Sequence, residues 1–368
     1  MIYNISETKC VYIGNQAYDE VWVGSDKVFP SSASPHDYSA DYFTTRALGS
    51  GTINYTAKDG NGILSYSTDS GESWTETSSI YPYTTSVSVV SGDTVIWKKN
   101  TQLVGENGFG NFYGTTDFEV DGNIMSLIAS DNFLTATTVP QYALKNLFHL
   151  SSHLVSAENL VIPATTMGQN ACDSMFDSCY SLLLAPKRLA ATSLGAYCYQ
   201  NMFQGCTNLT TAPQLPATAL AQSCYRGMFY GCTSLTEAPQ LLATALANNC
   251  YQYMFAGCTS LTTAPTELPA TSLANYCYSD MFNGCTSLTE APTLPAQTLA
   301  QSCYYQMFYG CTSLNSITCL ATDRSANNCT TMWLAQVQEN GTFTKASSMN
   351  DWPRTVDGIP ASWTVINV

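Results

Sequence analysis

The stretch Leu215-Pro216-Ala217-Thr218-Ala219-Leu220-Ala221-Gln222-Ser223-Cys224-Tyr225-Arg226-Gly227-Met228-Phe229-Tyr230-Gly231-Cys232-Thr233-Ser234-Leu235-Thr236-Glu237-Ala238-Pro239 is one unit of a series. Its Met-Phe pair recurs at Met175-Phe176, Met202-Phe203, Met228-Phe229, Met254-Phe255, Met281-Phe282 and Met307-Phe308, in steps of 27, 26, 26, 27 and 26 residues. A fixed period of this size marks a solenoid. Within the unit, Leu220, Cys224 and Met228 stand four apart, and Tyr225 and Phe229 widen the same stripe. That spacing predicts a short helix with one apolar face, ended at Gly231 by a left-handed residue. Leu235-Thr236-Glu237-Ala238 reads as a short strand, closed by Pro239, which has no N–H for a ladder. One helix and one strand cannot bury their own apolar face. Stacked copies can, and they line the strands into a parallel sheet.

Both 27-residue steps carry their extra residue just after an Ala-Pro pair, at Ala185-Pro186-Lys187-Arg188 and Ala264-Pro265-Thr266-Glu267, which marks a surface turn. The end copies differ from the middle ones, as the exposed ends of a stack must. Leu147-Phe148 opens a degenerate first copy, with Ala143 and Ser151 where later copies have cysteine. After Cys311 the pattern decays through Met332-Trp333 to Trp352 and Trp363, aromatics expected to cap the far end. Met-Phe followed by Gly-Cys-Thr-Ser-Leu-Thr resembles the BspA-like leucine-rich repeats of surface proteins of gut and oral bacteria and their phages. The resemblance covers roughly residues 140–345. It implies a leucine-rich-repeat fold and a recognition role. Two departures are the extra cysteine in the expected helix of each copy and a period longer than usual for the class.

Pairs such as Cys224/Cys232, Cys250/Cys258, Cys277/Cys285 and Cys303/Cys311 are eight apart. On a helix that is about 12 Å, beyond the reach of a disulfide. The spacing is not that of a zinc ligand set, and the central copies contain no histidine, so no metal and no cofactor are expected. Two ladders of reduced, buried thiols acting as small hydrophobes are the expectation, with bridges between stacked neighbours as the alternative.

Before the repeats, Val11-Tyr12-Ile13-Gly14-Asn15 and Val21-Trp22-Val23-Gly24-Ser25, followed by Lys27-Val28-Phe29-Pro30, alternate apolar residues with turn signals. Such hairpins are too short to fold alone. They resemble the amino-terminal attachment segments of structural proteins in phages of gut bacteria, so Tyr12, Ile13, Val21, Trp22, Val23, Val28 and Phe29 are expected to anchor the chain. Ser31-Ser32-Ala33-Ser34-Pro35 reads as a linker. From about Tyr38 to Phe133, Thr-, Ser- and Tyr-rich alternation broken by turns such as Ser91-Gly92-Asp93 predicts a β-sandwich. Inside it, Ser67-Thr68-Asp69-Ser70-Gly71-Glu72-Ser73-Trp74 resembles the Asp-box hairpin of sialidases, a turn device and not the catalytic part of those enzymes. The expected organisation is multi-domain: an attachment segment and linker (1–35), a β-sandwich (36–135), a right-handed α/β leucine-rich-repeat solenoid (136–345) and a C-terminal cap (346–368).

Charged residues are 11% of the chain, with 27 acidic against 13 basic side chains and a net charge of −14. Such a surface repels phosphate backbones and anionic lipid, which argues against nucleic acid and membrane. The amino terminus lacks a secretory signal pattern, and no apolar run reaches the roughly 18 residues a spanning helix needs. Thr, Ser, Asn, Gln and 23 Tyr supply the polarity instead, which suits neutral polar ligands such as glycans. His149 and His153 are four apart but lack the glutamate of a metalloprotease motif. Asp69, Glu72 and Glu76 are acidic loop residues, and neither Gly-x-Ser-x-Gly nor a phosphate-binding glycine loop occurs. A non-enzyme is expected.

These readings point to a virion-associated tail or head fibre protein. Residues 1–30 would join other virion proteins, and the repeats would meet a host glycan or protein. A bacterial cell-surface adhesin and a purely structural decoration protein are the alternatives. Analogy with fibres implies a homo-oligomer such as a trimer. Recognition is expected at positions that vary between copies: Gln200, Arg226, Tyr253, Asp280 and Tyr305 on the helix layer, and Thr211, Glu237, Thr263 and Glu290 on the strand layer.

Overall fold

The computed structural model describes residues 36–58, 62–100, 110–350 and 352–368, and the backbone alone of four short strands between residues 11 and 29. Those strands, β1 (Val11–Ile13), β2 (Gln16–Tyr18), β3 (Val21–Val23) and β4 (Asp26–Phe29), pair as two antiparallel hairpins. The anchoring role expected of Tyr12, Ile13, Val21, Trp22, Val23, Val28 and Phe29 concerns side chains outside the described residues, as does the 31–35 linker. The hairpins belong to one compact unit, Met1–Tyr38, and everything from Ser39 to Val368 to another.

The second unit opens with β5 (Phe43–Ala47), β6 (Gly51–Ala57), β7 (Leu64–Ser67), β8 (Thr75–Glu76), β9 (Thr84–Val89), β10 (Thr94–Lys99), β11 (Gly110–Gly114) and β12 (Phe118–Asn123). They form two sheets, one in the order β12-β5-β10-β7-β8 and the other β11-β6-β9, with antiparallel pairing throughout. Alternate residues point inward, as the two-residue strand period requires. Phe43, Val95 and Trp97 of the first sheet meet Ile53, Tyr55 and Phe112 of the second, with Trp97 and Phe112 ring centres 4.9 Å apart. The Trp97 indole N–H, which cannot be left bare in such a core, donates to Thr45 Oγ1 at 3.0 Å. One four-residue helix, α1 (Ser126–Ala129), follows. Beyond β13 (Thr138–Val139), β14 (Leu154–Val161) adds to β12 in parallel, so the first sheet runs on into the residues that open the repeats.

The Asp-box stretch is the hairpin between β7 and β8. Asp69 accepts the Ser73 N–H at 2.9 Å and the hydroxyls of Ser67 and Ser73, and Ser67 Oγ accepts the Gly71 N–H at 2.9 Å. Trp74 packs edge-on against Tyr42 with Lys98 Nζ over its face. The hydroxyl and amide donors of Ser67 and Ser73 pull the Asp69 carboxyl down from 3.8 to about 2. A carboxyl depressed on folding stabilises above its unfolded pKa, and that contribution vanishes as pH falls through the folded value. Order in the turn, followed by Trp74 fluorescence and the Ser73 amide resonance, is therefore expected to hold to about pH 3 and to fade towards pH 2. Asp69→Asn should show the weakened turn at every pH. A wild-type turn that is unchanged at pH 1.5 would contradict this account.

The repeats correct the sequence reading at one layer. Residues 221–232 form no helix, although their apolar residues fall four apart. They form a ribbon of overlapping turns. The N–H groups of Cys224, Arg226, Met228, Tyr230 and Cys232 each bond the carbonyl three residues back. The alternate N–H groups, of Tyr225, Gly227, Phe229 and Gly231, leave the copy and bond Cys250, Gln252, Met254 and Ala256 of the next one at 2.8–3.0 Å. No N–H remains for the four-residue bond of an α-helix. Every fourth residue turns left-handed: Ser223, Gly227 and Gly231 have φ of 52°, 60° and 72°. Equivalent triplets run from Tyr142, Asn146 and Leu150 to Asn328, Met332 and Gln336. A left-handed non-glycine residue costs about 1–2 kcal/mol. The bonds between copies, near 1 kcal/mol net apiece, offset it.

The expected strand layer is present in reduced form, as single parallel bridges between copies such as Glu237 to Thr263, Leu215 to Leu241 and Glu290 to Ser316. Longer parallel pairing appears only towards the ends. There β13, β15 (Thr166–Met167) and β16 (Ser193–Leu194) form one sheet, and β17 (Ser316–Cys319), β18 (Thr342–Lys345) and β19 (Thr364–Asn367) another. The described residues are thus β-rich, with leucine-rich-type repeats and few helical residues, and the repeats do not form the helix layer of the α/β solenoid that the four-residue spacing suggested.

Between the two layers each residue type stacks on its own kind. Phe148, Phe176, Phe203, Phe229, Phe255, Phe282 and Phe308 form one column with ring centres 5.0–5.5 Å apart. Tyr199, Tyr225, Tyr251, Tyr278 and Tyr304 form a second at 5.7–6.1 Å. The fourteen described cysteines are all buried free thiols. Those of Cys206, Cys232, Cys258, Cys285 and Cys311 donate to the carbonyls of Phe176, Phe203, Phe229, Phe255 and Phe282 at 3.0–3.1 Å, spanning to the preceding copy. Burial pushes the Cys258 and Cys311 thiols up to about 12. They are donors that hold copies together and not thiolates.

Candidate functional site

With leucine, cysteine, methionine, phenylalanine and one tyrosine column spent on the core, the surface is left to positions that change from copy to copy. Of the residues expected on the outer layer, Gln200, Arg226, Tyr253 and Tyr305 are half-buried on the turn ribbon. Thr211, Glu237, Thr263 and Glu290 are exposed on the bridge layer. Asp280 differs: only 3% of it is accessible, and its carboxylate accepts from Ser279 Oγ at 2.7 Å and Asn283 Nδ2 at 3.0 Å. Burial pushes that carboxyl up against the pull of both donors. Asp280 is spent on the local turn.

Two depressions gather four of the remaining positions. The larger, about 680 Å³, lies on the bridge layer and brings Thr211 and Glu237 together with Arg188, Gln214 and Gln240 between proline-rich walls. The smaller, about 480 Å³, lies on the turn ribbon and joins Arg226 and Tyr253 to Asn201, Gln204, Gly227 and Tyr230. Gln200, Tyr305, Thr263 and Glu290 line neither of these two.

In the smaller depression, Arg226 Nε donates to Gln252 Oε1 at 3.1 Å, and the guanidinium carbon sits 5.6 Å from the Tyr253 ring centre. Tyr230, 47% exposed, meets Tyr253 edge-on at 6.4 Å and 80°, so the two rings form a corner. Burial raises the Tyr253 phenol, Asp280 adds to the rise and Arg226 opposes it. Asn201, Gln204, Gly227 and Tyr230 were not among the sequence candidates. The signal for Asn201 and Gly227 was the column just before each methionine, which reads Asn201, Gly227, Tyr253, Asp280 and Gln306. A glycine between an asparagine and a tyrosine in such a column lets the asparagine side chain lie over it.

His153, Asp69 and Glu76 are engaged elsewhere. His153 Nδ1 lies 2.9 Å from Asp117 and His149 Nδ1 3.4 Å from Asp177. Glu76 accepts from Asn100 at 2.6 Å. Among the described residues no cluster of three or more His, Cys, Asp or Glu is arranged to hold a metal ion, and no helix is long and apolar enough to cross a membrane.

Comparison with solved structures finds likeness to the T. pallidum leucine-rich repeat protein, at 14% identity over 68% of this chain and 92% of that one, with a TM-score of 0.26. A leucine-rich repeat protein from Bacteroides ovatus is likewise 14% identical over 68% of this chain and 86% of that one, with a TM-score of 0.22. No curated protein matches the chain. The model of the BspA-type leucine-rich repeat region matches residues 175–298. The period and the stacked columns agree with that match, which counts six copies of the BspA-type repeat.

Proposed function

We propose that the chain is a non-catalytic recognition protein carried on a virion, in a tail or head fibre, and that its repeats engage a host-cell glycan or protein. The observation that carries the recognition part is the division of labour within each copy. Core columns keep one residue type along the stack, whereas two solvent-open depressions are lined by residues that change from copy to copy. A spacer needs only the first. Support for a non-catalytic role comes from the candidate acid-base groups, since Asp69, Glu76 and His153 are tied to nearby partners. Support for attachment to a particle comes from two hairpins of three- and four-residue strands, which as isolated two-stranded pairs are marginal and call for a partner surface.

The test is binding of the full chain to intact gut bacteria and to a broad glycan array, beside a Tyr253→Ala, Tyr305→Ala double variant. Saturable binding that the variant weakens supports recognition by the repeats. No saturable binding to any cell or glycan would leave the repeats as a spacer. Deleting residues 1–30 is expected to release the chain from purified particles, and retention of the truncated chain would remove the attachment role.

A further inference from the structure

Arg226 is the one Lys, Arg or His between residues 189 and 323, in a chain of net charge −14. Many of the other cations are neutralised or tied down locally. Lys145 pairs with Asp173 at 2.7 Å, Lys187 with Glu158 at 3.2 Å and Lys98 with Asp131 at 2.8 Å. Arg324 and Arg354 donate to backbone carbonyls. Among the described residues no carboxylate lies within ion-pair distance of Arg226. Its Nε is held by Gln252, which fixes the plane of the guanidinium and leaves the two Nη groups as the end available to a ligand. That end is a rigid fork with the geometry of a carboxylate.

The cradle around it has a definite origin. Gly227 has φ of 60°, close to the 52°, 58°, 55° and 48° of Asn201, Tyr253, Asp280 and Gln306 in the same column. The backbone there tolerates side chains, so glycine is not required by conformation. A Cβ on Gly227 would lie 2.4 Å from Asn201 Oδ1. The missing side chain is what lets the Asn201 amide lie against the backbone of the next copy, on the wall of the depression. Its rim carries the exposed Tyr230 ring and the amides of Asn201 and Gln204, groups suited to a pyranose face and its hydroxyls.

Resting on the recognition reading above, we infer that the depression lined by Asn201, Gln204, Arg226, Gly227, Tyr230 and Tyr253 binds a carboxylated sugar, a uronic or sialic acid residue, with its carboxylate on the Arg226 fork. The excess acidity of the chain does not forbid this. Exposed charges more than about 8 Å away are largely screened at physiological salt. Asp280, which bears on Tyr253, is buried and bonded to Ser279 and Asn283. The sequence alone favoured neutral glycans because it showed the net charge and the position of Arg226, not that Arg226 stands clear of carboxylates beside Tyr253.

The test titrates the full chain with uronic and sialic acid oligosaccharides, their methyl esters, sulfated oligosaccharides and neutral ones, followed by ligand-observed NMR. Carboxylated ligands are expected to bind, and esterification to weaken them by about tenfold to a hundredfold, the range for losing a charge-assisted hydrogen bond. Arg226→Gln should erase the difference between acid and ester. Arg226→Lys, a point charge without the fork, should recover only part of it. Gly227→Asn, which copies the neighbouring residue, should abolish binding with only a modest fall in the unfolding midpoint, the cost of a left-handed side chain and of moving the Asn201 amide. Equal binding of acid and ester, or wild-type affinity in Arg226→Gln, would overturn the inference and leave recognition standing. Sulfated ligands preferred over carboxylated ones would overturn the carboxylate assignment. No binding of any oligosaccharide here would end the inference alone if cells are still bound in the preceding test, and would end both if they are not.

Discussion

Phe255→Ala is expected to destabilise the chain by about 3–5 kcal/mol, the range for removing a fully buried aromatic ring. Phe255 is inaccessible and sits mid-column, 5.5 Å from Phe229 on one side and 5.5 Å from Phe282 on the other, with interplanar angles of 1° and 13°. Its ring therefore belongs to two interfaces between copies. Its backbone is bound into them as well: the N–H donates to Met281 and the carbonyl accepts from the Cys285 thiol at 3.1 Å. In a stack whose stability sums over nearest neighbours, damage at one copy weakens the coupling of everything on either side. Against a typical total of about 5–15 kcal/mol, such a loss is large. Urea unfolding followed by fluorescence should show a lower midpoint and a transition divided in two, one part on each side of the substituted copy. Tyr230→Ala, at an exposed ring in the preceding copy, should change stability by no more than about 0.5 kcal/mol. A Phe255→Ala loss below about 1 kcal/mol with one sharp transition would show that the phenylalanine column does not couple the copies.

The column was legible in the sequence because Met-Phe repeats at a near-constant step, and burial follows from it directly. The form of the backbone was not. Leu220, Cys224 and Met228 at four-residue spacing satisfy an α-helix and a ribbon of turns about equally. What separates them is the partner of each alternate N–H, and that partner stands in the next copy, outside any local window. A clue existed in Ser223, Gly227 and Gly231, a run of left-handed-competent residues at every fourth position. Tyr197 and Tyr276 hold the same conformation in their copies with φ of 60° and 56°, so residue type does not give it away in general.

The same limit governs the site. Arg226 and Tyr253 were legible as positions that vary, and the structure brings them into one depression. Asp280 varies too, yet it is buried, because variation along a column records what each copy does with its own turn as well as what it offers to solvent. Tyr230 and Asn201 became visible only when neighbouring copies were laid side by side. A depression across copies is a property of the stack, and no single repeat contains it.

The second large effect is expected at the far end, where the stack has to stop. Trp333 stands in the methionine register, since Phe308 donates to its carbonyl as Phe282 does to that of Met307. Its ring nevertheless continues the tyrosine column, stacked on Tyr304 at 6.0 Å and covered in turn by Trp352 at 5.4 Å. Its indole N–H donates to Gly358 at 2.8 Å, and Arg324 lies over Trp352 at 4.4 Å. One side chain thus closes the column, pins the terminal loop and carries the outer tryptophan. Trp333→Ala is expected to cost about 3–5 kcal/mol for the ring, and to leave a buried carbonyl unbonded besides. The loss should be local. Hydrogen exchange should quicken from Tyr304 to the carboxyl terminus, while the amides of Phe112 and Phe148, where the two β-sheets meet the first copy, keep their wild-type protection. The contrast with Phe255→Ala is the point of the comparison, because a central defect divides the stack and a terminal one frays it. Uniform acceleration along the whole chain in Trp333→Ala would mean that the unit unfolds as one cooperative block. The nearest-neighbour account of the repeats would then fail.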